Sequence, residues 1–548
     1  MSIHQMFLGT AAGGSKGWVL MTNYLTSTPS SHDTIHSNAK GVVQASNGKY
    51  YALEQYGNNT EPRRIQIIKF DDDGTNVSYE RGHYKSGASN STVKHVFAQG
   101  MDIDDDDVIW LYGTGYDSTQ SSGQKYWGFV EKWNPATDAV AWGTHMDKGT
   151  NKPSWNATAH NPKAGLCLFR NQERAAIIAG SISGGTHAGR QCAVNVLDVN
   201  TSGVALNGEW SGFGTTYTTG NNRLNVSWGS QAAWGVQSGS SSTKRLFMAG
   251  QWTPPNYAFG TTIGVFDDTP TNCYHRSDAY SSSGSGNWNV YAGDIITNAA
   301  CTTGYVVVRR AISQGGDGHT AYRPEVAKIT DASGSYNGSL SFTMYQTESA
   351  LPWGGPACLD LDSSGNLYCC AHLEQYVTNS NTSQTWQQQF PALIKWNTSG
   401  NIEWMYKISR PNNFASGDGS GVGIQGTYPS FEGKVMVNND GNPVVFGYNS
   451  WQNEPGQSHD GVDRADWTTP FYIMIPADGK LESGTYGTGQ NQWTVTNLAG
   501  SWTAATQTNY WSSNSLPGTS STSGSESSST STNKGNSNQE TTSTTILG

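Results

Sequence analysis

Clustered carboxylates are the first residues in this sequence that could do chemistry. Asp102, Asp104, Asp105, Asp106 and Asp107 lie almost side by side, and hard cations such as calcium draw their ligands from oxygen-rich clusters. The surrounding register argues for another role. The cluster occupies the same hairpin turn as Asp362-Ser363-Ser364-Gly365-Asn366, and Asp71-Asp72-Asp73-Gly74 fills a matching one. Short Asp/Asn/Gly runs make solvated turns, so no metal is expected. Gly421, Gly423 and Gly426 spell a dinucleotide fingerprint, which has meaning only between a strand and a helix. Here the string falls in a Gly-rich connection with no helix after it, and no cofactor is expected. His32 and His36 stand in a Ser/Thr-rich stretch and read as exposed polar residues. No P-loop, His-Glu-x-x-His or Gly-x-Ser-x-Gly occurs. Glycoside cleavage needs two carboxylates about 5–10 Å apart, and nothing in the spacing nominates a pair. The sequence therefore predicts no catalytic residue and a protein that is not an enzyme.

A second constellation is aromatic. Trp252 with Tyr257, Tyr322 beside Asp317 and His319, and Tyr376 with Trp386 fall in long polar connections, as do Trp451, Asp460, Asp463 and Trp467. Ring planes beside carboxylates and amides suit sugars, whose C–H faces stack while their hydroxyls hydrogen-bond. The candidate binding residues are accordingly Trp252, Tyr257, Tyr322, Tyr376, Trp386, Trp451, Asp460 and Trp467. The competing role for any one ring is to pack against its own loop.

The elements that must position these residues are repeated hairpins. LDLDSSGNLYCCAH at 359–372, VMVNNDGNPVVFGY at 435–448 and VVQASNGKYYALEQ at 42–55 share one pattern: apolar strand, short Asp/Asn/Gly turn, apolar strand. A second hairpin follows each, as in IQIIKFDDDGTNVSY (65–79), GFVEKWNPATDAVAW (128–142) and ALIKWNTSGNIEW (392–404). Phe70, Trp133, Leu197, Phe266, Ile329, Trp396 and Ile475 occupy the equivalent pre-turn position, roughly every 66 residues. A lone four-stranded sheet cannot cover both its faces, whereas packing against neighbours around a ring can. The predicted fold is all-β: a seven-bladed β-propeller of four-stranded antiparallel blades over residues 41–487. The first and second strands of a blade, and the third and fourth, are joined by tight turns on one face. The long connections, among them 144–163, 211–231, 374–390, 409–433 and 449–470, emerge on the other, where function is expected.

Composition narrows the rest. Among 548 residues only 14% are charged, with Lys+Arg 32 against Asp+Glu 42 and a net charge of −10, while Gly reaches 65, Trp 20 and Tyr 26. That is a turn-rich β composition, and without a basic stripe no nucleic-acid partner is expected. No apolar run approaches the 18 residues or so of a membrane span. Met1 to Gly14 lacks a basic n-region and a long apolar core, so no secretory leader is expected. The seven cysteines are scattered without a Cys-x-x-Cys pair, which predicts buried free thiols.

Outside the ring, residues 1–40 read as a docking arm with apolar anchors at Met6, Phe7, Leu8 and Trp18 to Met21. Residues 488–511 form an aromatic segment. Residues 512–548 are Ser/Thr-rich and low in complexity, too poor in apolar side chains to order alone.

Gly365-Asn366-Leu367-Tyr368 and Ile394 to Trp404 carry a grammar that resembles bacterial and phage β-propeller repeats. The hairpins with Trp133/Trp142 and Trp396/Trp404 also resemble quinoprotein-dehydrogenase propeller repeats. Ile3-His4-Gln5-Met6-Phe7-Leu8-Gly9-Thr10 resembles the start of marine-phage, particularly cyanophage, virion proteins. The repeat grammar and the opening segment together imply a non-enzymatic phage virion protein, a tail or head appendage made in the host cytoplasm. Its implied partners are other virion proteins, a host surface glycan or receptor, and further copies of itself. The alternative is a secreted bacterial glycan-binding lectin or glycan-active enzyme on a propeller scaffold.

Overall fold

The computed structural model describes residues 16–22, 35–36, 38–56, 64–83, 94–117, 126–147, 165–169, 174–180, 192–198, 208–213, 224–225, 231–236, 244–252, 260–266, 273–279, 290–298, 303–314, 320–330, 340–346, 353–378, 385–409, 422–423, 435–453, 467–488, 492–498, 511–513, 519–524 and 543–547. Among these, every regular element is a strand. Consecutive strands pair antiparallel in four-stranded meanders. The first runs through Asn38–Gln44, Tyr50–Tyr56, Arg64–Phe70 and Ser78–His83. The next comprises Lys94–Ile103, Ile109–Asp117, Tyr126–Asn134 and Ala139–Asp147. Gly165–Phe169, Arg174–Gly180, Cys192–Asp198 and Gly208–Phe213 form another, followed by Gln231–Val236, Lys244–Trp252, Gly260–Phe266 and Cys273–Ala279. Val290–Thr297, Thr303–Gln314, Thr320–Thr330 and Ser341–Gln346 precede Trp353–Leu361, Leu367–Thr378, Thr385–Trp396 and Ile402–Ser409. In the last sheet Val435–Val437, Pro443–Asn453 and Trp467–Met474 are completed by Gly17–Met21. Antiparallel four-stranded blades of this kind make an all-β propeller.

The all-β propeller stands, but the expected count of seven blades is corrected: the described strands form six sheets, not seven. Tyr322 pairs with Trp353, and this bridge fuses two neighbouring meanders into one ten-stranded sheet. The strands that meet are Thr320–Thr330 and Trp353–Leu361, of 11 and 9 residues, and they touch near the start of each.

The tight turns explain why the hairpins recur. Asp362, Asn397 and Asn438 each accept hydrogen bonds from the backbone N–H groups two and four residues on, and Asp104 does the same. The chain then turns through a residue at positive φ, such as Gly400 (83°) and Gly441 (82°), with Asp107 (59°) in the acidic version. Such a type I turn closed by a left-handed residue gives the three-residue hairpin loop. The Asp cluster is thus turn chemistry: Asp104 also takes the Trp110 Nε1 hydrogen at 3.0 Å, and Asp107 accepts from Ser46 of the preceding blade.

The core lies between blades. Phe70, Trp133, Ile329, Trp396 and Ile475 are all buried to 1% exposure or less. The side chains of Leu197 and Phe266 lie outside the described residues. Trp18, Tyr50, Phe70, Phe446 and Tyr472 make one inter-blade cluster, joining the first meander to the last sheet. Val19, Cys358, Tyr368, Trp404, Phe471 and Trp493 belong to another. Cys358, Cys369 and Cys370 are buried free thiols, and burial pushes Cys369 and Cys370 well up from the ordinary thiol range.

Both flanking segments depart from expectation. Residues 17–21, read as part of an arm docking elsewhere, form a buried strand of the ring itself. The alternation-free run Trp-Val-Leu-Met is apolar on both faces, and the sheet offers it partners on both. Residues 512–548 were expected to lack order, yet Thr519–Gly524 adds to Gly208–Phe213 and Ser543–Leu547 adds to Gly17–Met21. Trp493–Asn497 and Trp511–Ser513 similarly extend Ile402–Ser409 and Cys273–Ala279. Blade edges supply the unpaired N–H and C=O groups that such polar segments satisfy.

Candidate functional site

The second-to-third-strand ends of the blades carry the aromatic candidates, but on strands rather than in loops. Trp252 closes the strand Lys244–Trp252 and pairs with Gly260. Tyr322 pairs with Ala311 and with Trp353 of the neighbouring meander. Tyr376 and Trp386 occupy adjacent rungs of one long hairpin, with Tyr376 opposite Gln387 and Trp386 opposite Val377. Trp451 and Trp467 are direct cross-strand partners. Tyr257 and Asp460 lie outside the described residues. The 374–390 connection therefore shrinks to 379–384, because aromatic, Thr and Gln residues extend the ladder. Strand order puts all six placed residues at the same end of their blades. It adds Tyr116 and Tyr126, register partners in the second meander.

Beneath this end the structure reveals buried polar groups that sequence reading missed. Glu54 sits in the strand Tyr50–Tyr56, fully buried. Its carboxylate accepts hydrogen bonds from Thr22 Oγ1, from Tyr472 Oη at 2.6 Å and from Gln66 Nε2 at 2.8 Å. Burial raises its pKa, and the three donors oppose that rise without cancelling it. Arg81 and Glu131 form a buried ion pair between the first two meanders, Nε to Oε1 3.0 Å. Asp294 accepts from the Leu359 N–H at 3.0 Å, and Asp360 from the Val437 N–H at 2.6 Å. Cys358 Sγ takes the corresponding place opposite the Val435 N–H. In these last three contacts a side chain on the first strand of one blade holds the first strand of the next. The only sequence signal was a polar residue inside an apolar alternation, as with Glu54 in Tyr-Tyr-Ala-Leu-Glu-Gln.

The opposite end is knit turn to turn. Asn438 Nδ2 donates to Tyr50 Oη at 2.8 Å, and Trp404 Nε1 to the Ala477 carbonyl at 2.9 Å. Burial, against the Asn438 contact, pushes Tyr50 up to about 12. Lys49 is held above its ordinary value by its hydrogen bond to Asp71. Among the described residues no three His, Cys, Asp or Glu side chains group as metal ligands. The polar groups at this end are committed to scaffold contacts, so the aromatic end is the candidate site.

No family model and no curated protein matches this chain. Solved structures to which it is similar include an exo-β-1,3-galactanase from Clostridium thermocellum, at 12% identity over 83% of this chain and 94% of that one, with a TM-score of 0.28. A xylan β-1,4-xylosidase from Bacillus halodurans matches at 10% identity over 84% of this chain and 97% of the other, with a TM-score of 0.24. An exo-1,5-α-L-arabinanase from a bovine ruminal metagenomic library matches at 12% over 55% and 95%, with a TM-score of 0.25. At these identities and TM-scores no substrate or active-site residue transfers to this chain. The expectation of a non-enzymatic phage virion protein is corrected on the names alone: these three are glycan-cleaving enzymes, and none of them is a phage protein.

Proposed function

We propose that this chain is a glycan-active propeller whose aromatic end holds a saccharide chain. The observation that carries the reading is the gathering of Trp252, Tyr322, Tyr376, Trp386, Trp451 and Trp467 at one end of their blades. Aromatic planes stack on the apolar faces of pyranose and furanose rings, and several in succession suit an oligomer better than a single sugar. Tyr257 and Asp460 belong to the same set. Hydrolysis of a glycosidic bond requires one carboxyl to protonate the leaving oxygen and another to activate water or attack. Asp460 is the carboxylate of the set positioned by sequence among the aromatic residues.

The test uses the full chain against galactans, arabinans, xylans and β-glucans, reading mobility in polysaccharide-containing gels and release of reducing ends. Retardation by at least one polysaccharide is expected, and Trp386→Ala with Trp451→Ala should weaken it about tenfold, as loss of stacking rings does. Reducing-end release abolished by Asp460→Asn would identify the carboxylate. Neither retardation nor release across the panel would sink the reading.

A further inference from the structure

The two strands that finish the last sheet come from opposite ends of this sequence. Gly17–Met21 pairs with Phe471–Met474 on one side and with Ser543–Leu547 on the other. All five residues of Gly17–Met21 are buried. Val19 and Met21 enter one inter-blade cluster, whereas Trp18 and Leu20 enter the other. Trp18 stands edge-on to Tyr50 and Phe70 of the first meander, with ring centroids 5.9 and 5.8 Å apart, and donates to the Asp72 carbonyl at 2.7 Å. Thr22, the next residue, donates to the buried Glu54. This one strand therefore joins the last sheet to the first meander.

Residues 543–547 cover its other edge. They form the edge strand of the sheet and satisfy the outer N–H and C=O row of Gly17–Met21. Their side chains alternate: Thr545 and Leu547 are buried, whereas Ile546 is 46% exposed. Thr544 Oγ1 donates to the Gly74 carbonyl at 2.7 Å, gripping the same first-meander turn that Trp18 holds. Leu547 is the one large apolar side chain the strand places in the core. Residues 525–542, which precede it, contain no apolar side chain whose burial would resist its release. Segments with few buried apolar contacts open locally at the lowest free energy.

We propose that residues 543–547 are a reversible clasp on the ring. Their departure bares one edge of Gly17–Met21, frees that strand together with the Thr22–Glu54 contact, and opens the seam while the remaining blades stay folded. The clasp thus makes one inter-blade seam separately openable.

Native-state hydrogen exchange on the full chain tests this, comparing the unmodified protein with Leu547→Asp, Ile546→Asp and Thr544→Val. In Leu547→Asp the amides of residues 17–22 should exchange roughly tenfold faster or more, with those of 367–378 and 392–406 unchanged, as local opening requires. Ile546→Asp, altering an exposed neighbour, should match the unmodified protein. Thr544→Val keeps the packing and loses only the Gly74 contact, so it should show a smaller acceleration confined to the same peptide, and it carries the test if Leu547→Asp does not fold. Unchanged protection of 17–22 in both variants would overturn the clasp. So would an equal loss of protection in every peptide, since that reports one cooperative unit.

Discussion

Tyr472 donates its phenolic hydrogen to Glu54 Oε1 at 2.6 Å, joining residues 418 positions apart across the seam between the last sheet and the first meander. It is one of several buried polar groups that join neighbouring blades, with Arg81–Glu131 and Asp294 among the others. Glu54 is fully buried and its pKa lies above the ordinary carboxylate value because burial outweighs its three donors.

That direction sets a pH dependence. A carboxyl whose folded-state pKa exceeds its unfolded one binds its proton more tightly when folded. Its stabilisation is complete below the unfolded value near 4.5 and is lost as pH rises through the folded value. Glu54→Gln has no such proton to lose. The difference in Tm, variant minus unmodified, should therefore grow more positive as pH rises from about 4.5. A difference that stays flat with pH would show that Glu54 does not titrate in the folded protein.

Two turn glycines separate backbone strain from crowding. Gly400 and Gly441 share nearly the same φ, 83° and 82°. An added Cβ at Gly441 meets nothing within 4 Å, whereas at Gly400 it would lie 2.6 Å from the Tyr345 ring. Gly441→Ala should cost about 1–2 kcal/mol for the left-handed conformation. Gly400→Ala should cost a further 1–3 kcal/mol or so, as overpacking does. Urea midpoints would give both, and equal losses would mean the Tyr345 ring moves aside freely.

The Arg81–Glu131 pair offers a third test. Both side chains are nearly fully buried, at 1% and 4% exposure, and Arg81 Nη2 has no hydrogen-bond partner among the described residues. Glu131→Ala leaves the guanidinium only the longer contact to Asp138, 3.8 Å from Nη1, and should destabilise by about 3–5 kcal/mol. Replacing both, as Arg81→Met with Glu131→Leu, should recover most of that loss, because no charge then remains to be desolvated. Chemical denaturation of the single and double variants checks this; a double variant as unstable as the single would mean that the shape of the pair, not its charge, holds the blades.

Much of the scaffold was legible in the residues. Asp362, Asn397 and Asn438 begin turns whose hydrogen bonds lie within four residues, so a local pattern sufficed to find them. The pre-turn residues Trp133 and Trp396 were legible as core for the same reason. The aromatic candidates were expected in loops, and six of them lie on strands. Whether Tyr376 and Trp386 sit in a loop or on a ladder depends on how far two strands keep pairing, which turn residues do not encode.

By itself, then, this sequence determined the all-β hairpin grammar and the end of the blades at which its aromatic residues gather. Both follow from period-two alternation and from Asx and Gly turns, which act over a few residues. Only the tertiary structure decided that Gly17–Met21 and Ser543–Leu547 complete the last sheet, that Tyr322 and Trp353 fuse two meanders, and that Glu54 lies beneath Tyr472. Those are pairings between distant segments. Thr544 and Gly74 meet across 470 residues. Their partners are chosen by which edge and which buried hole the rest of the ring leaves open, and no local propensity carries that information.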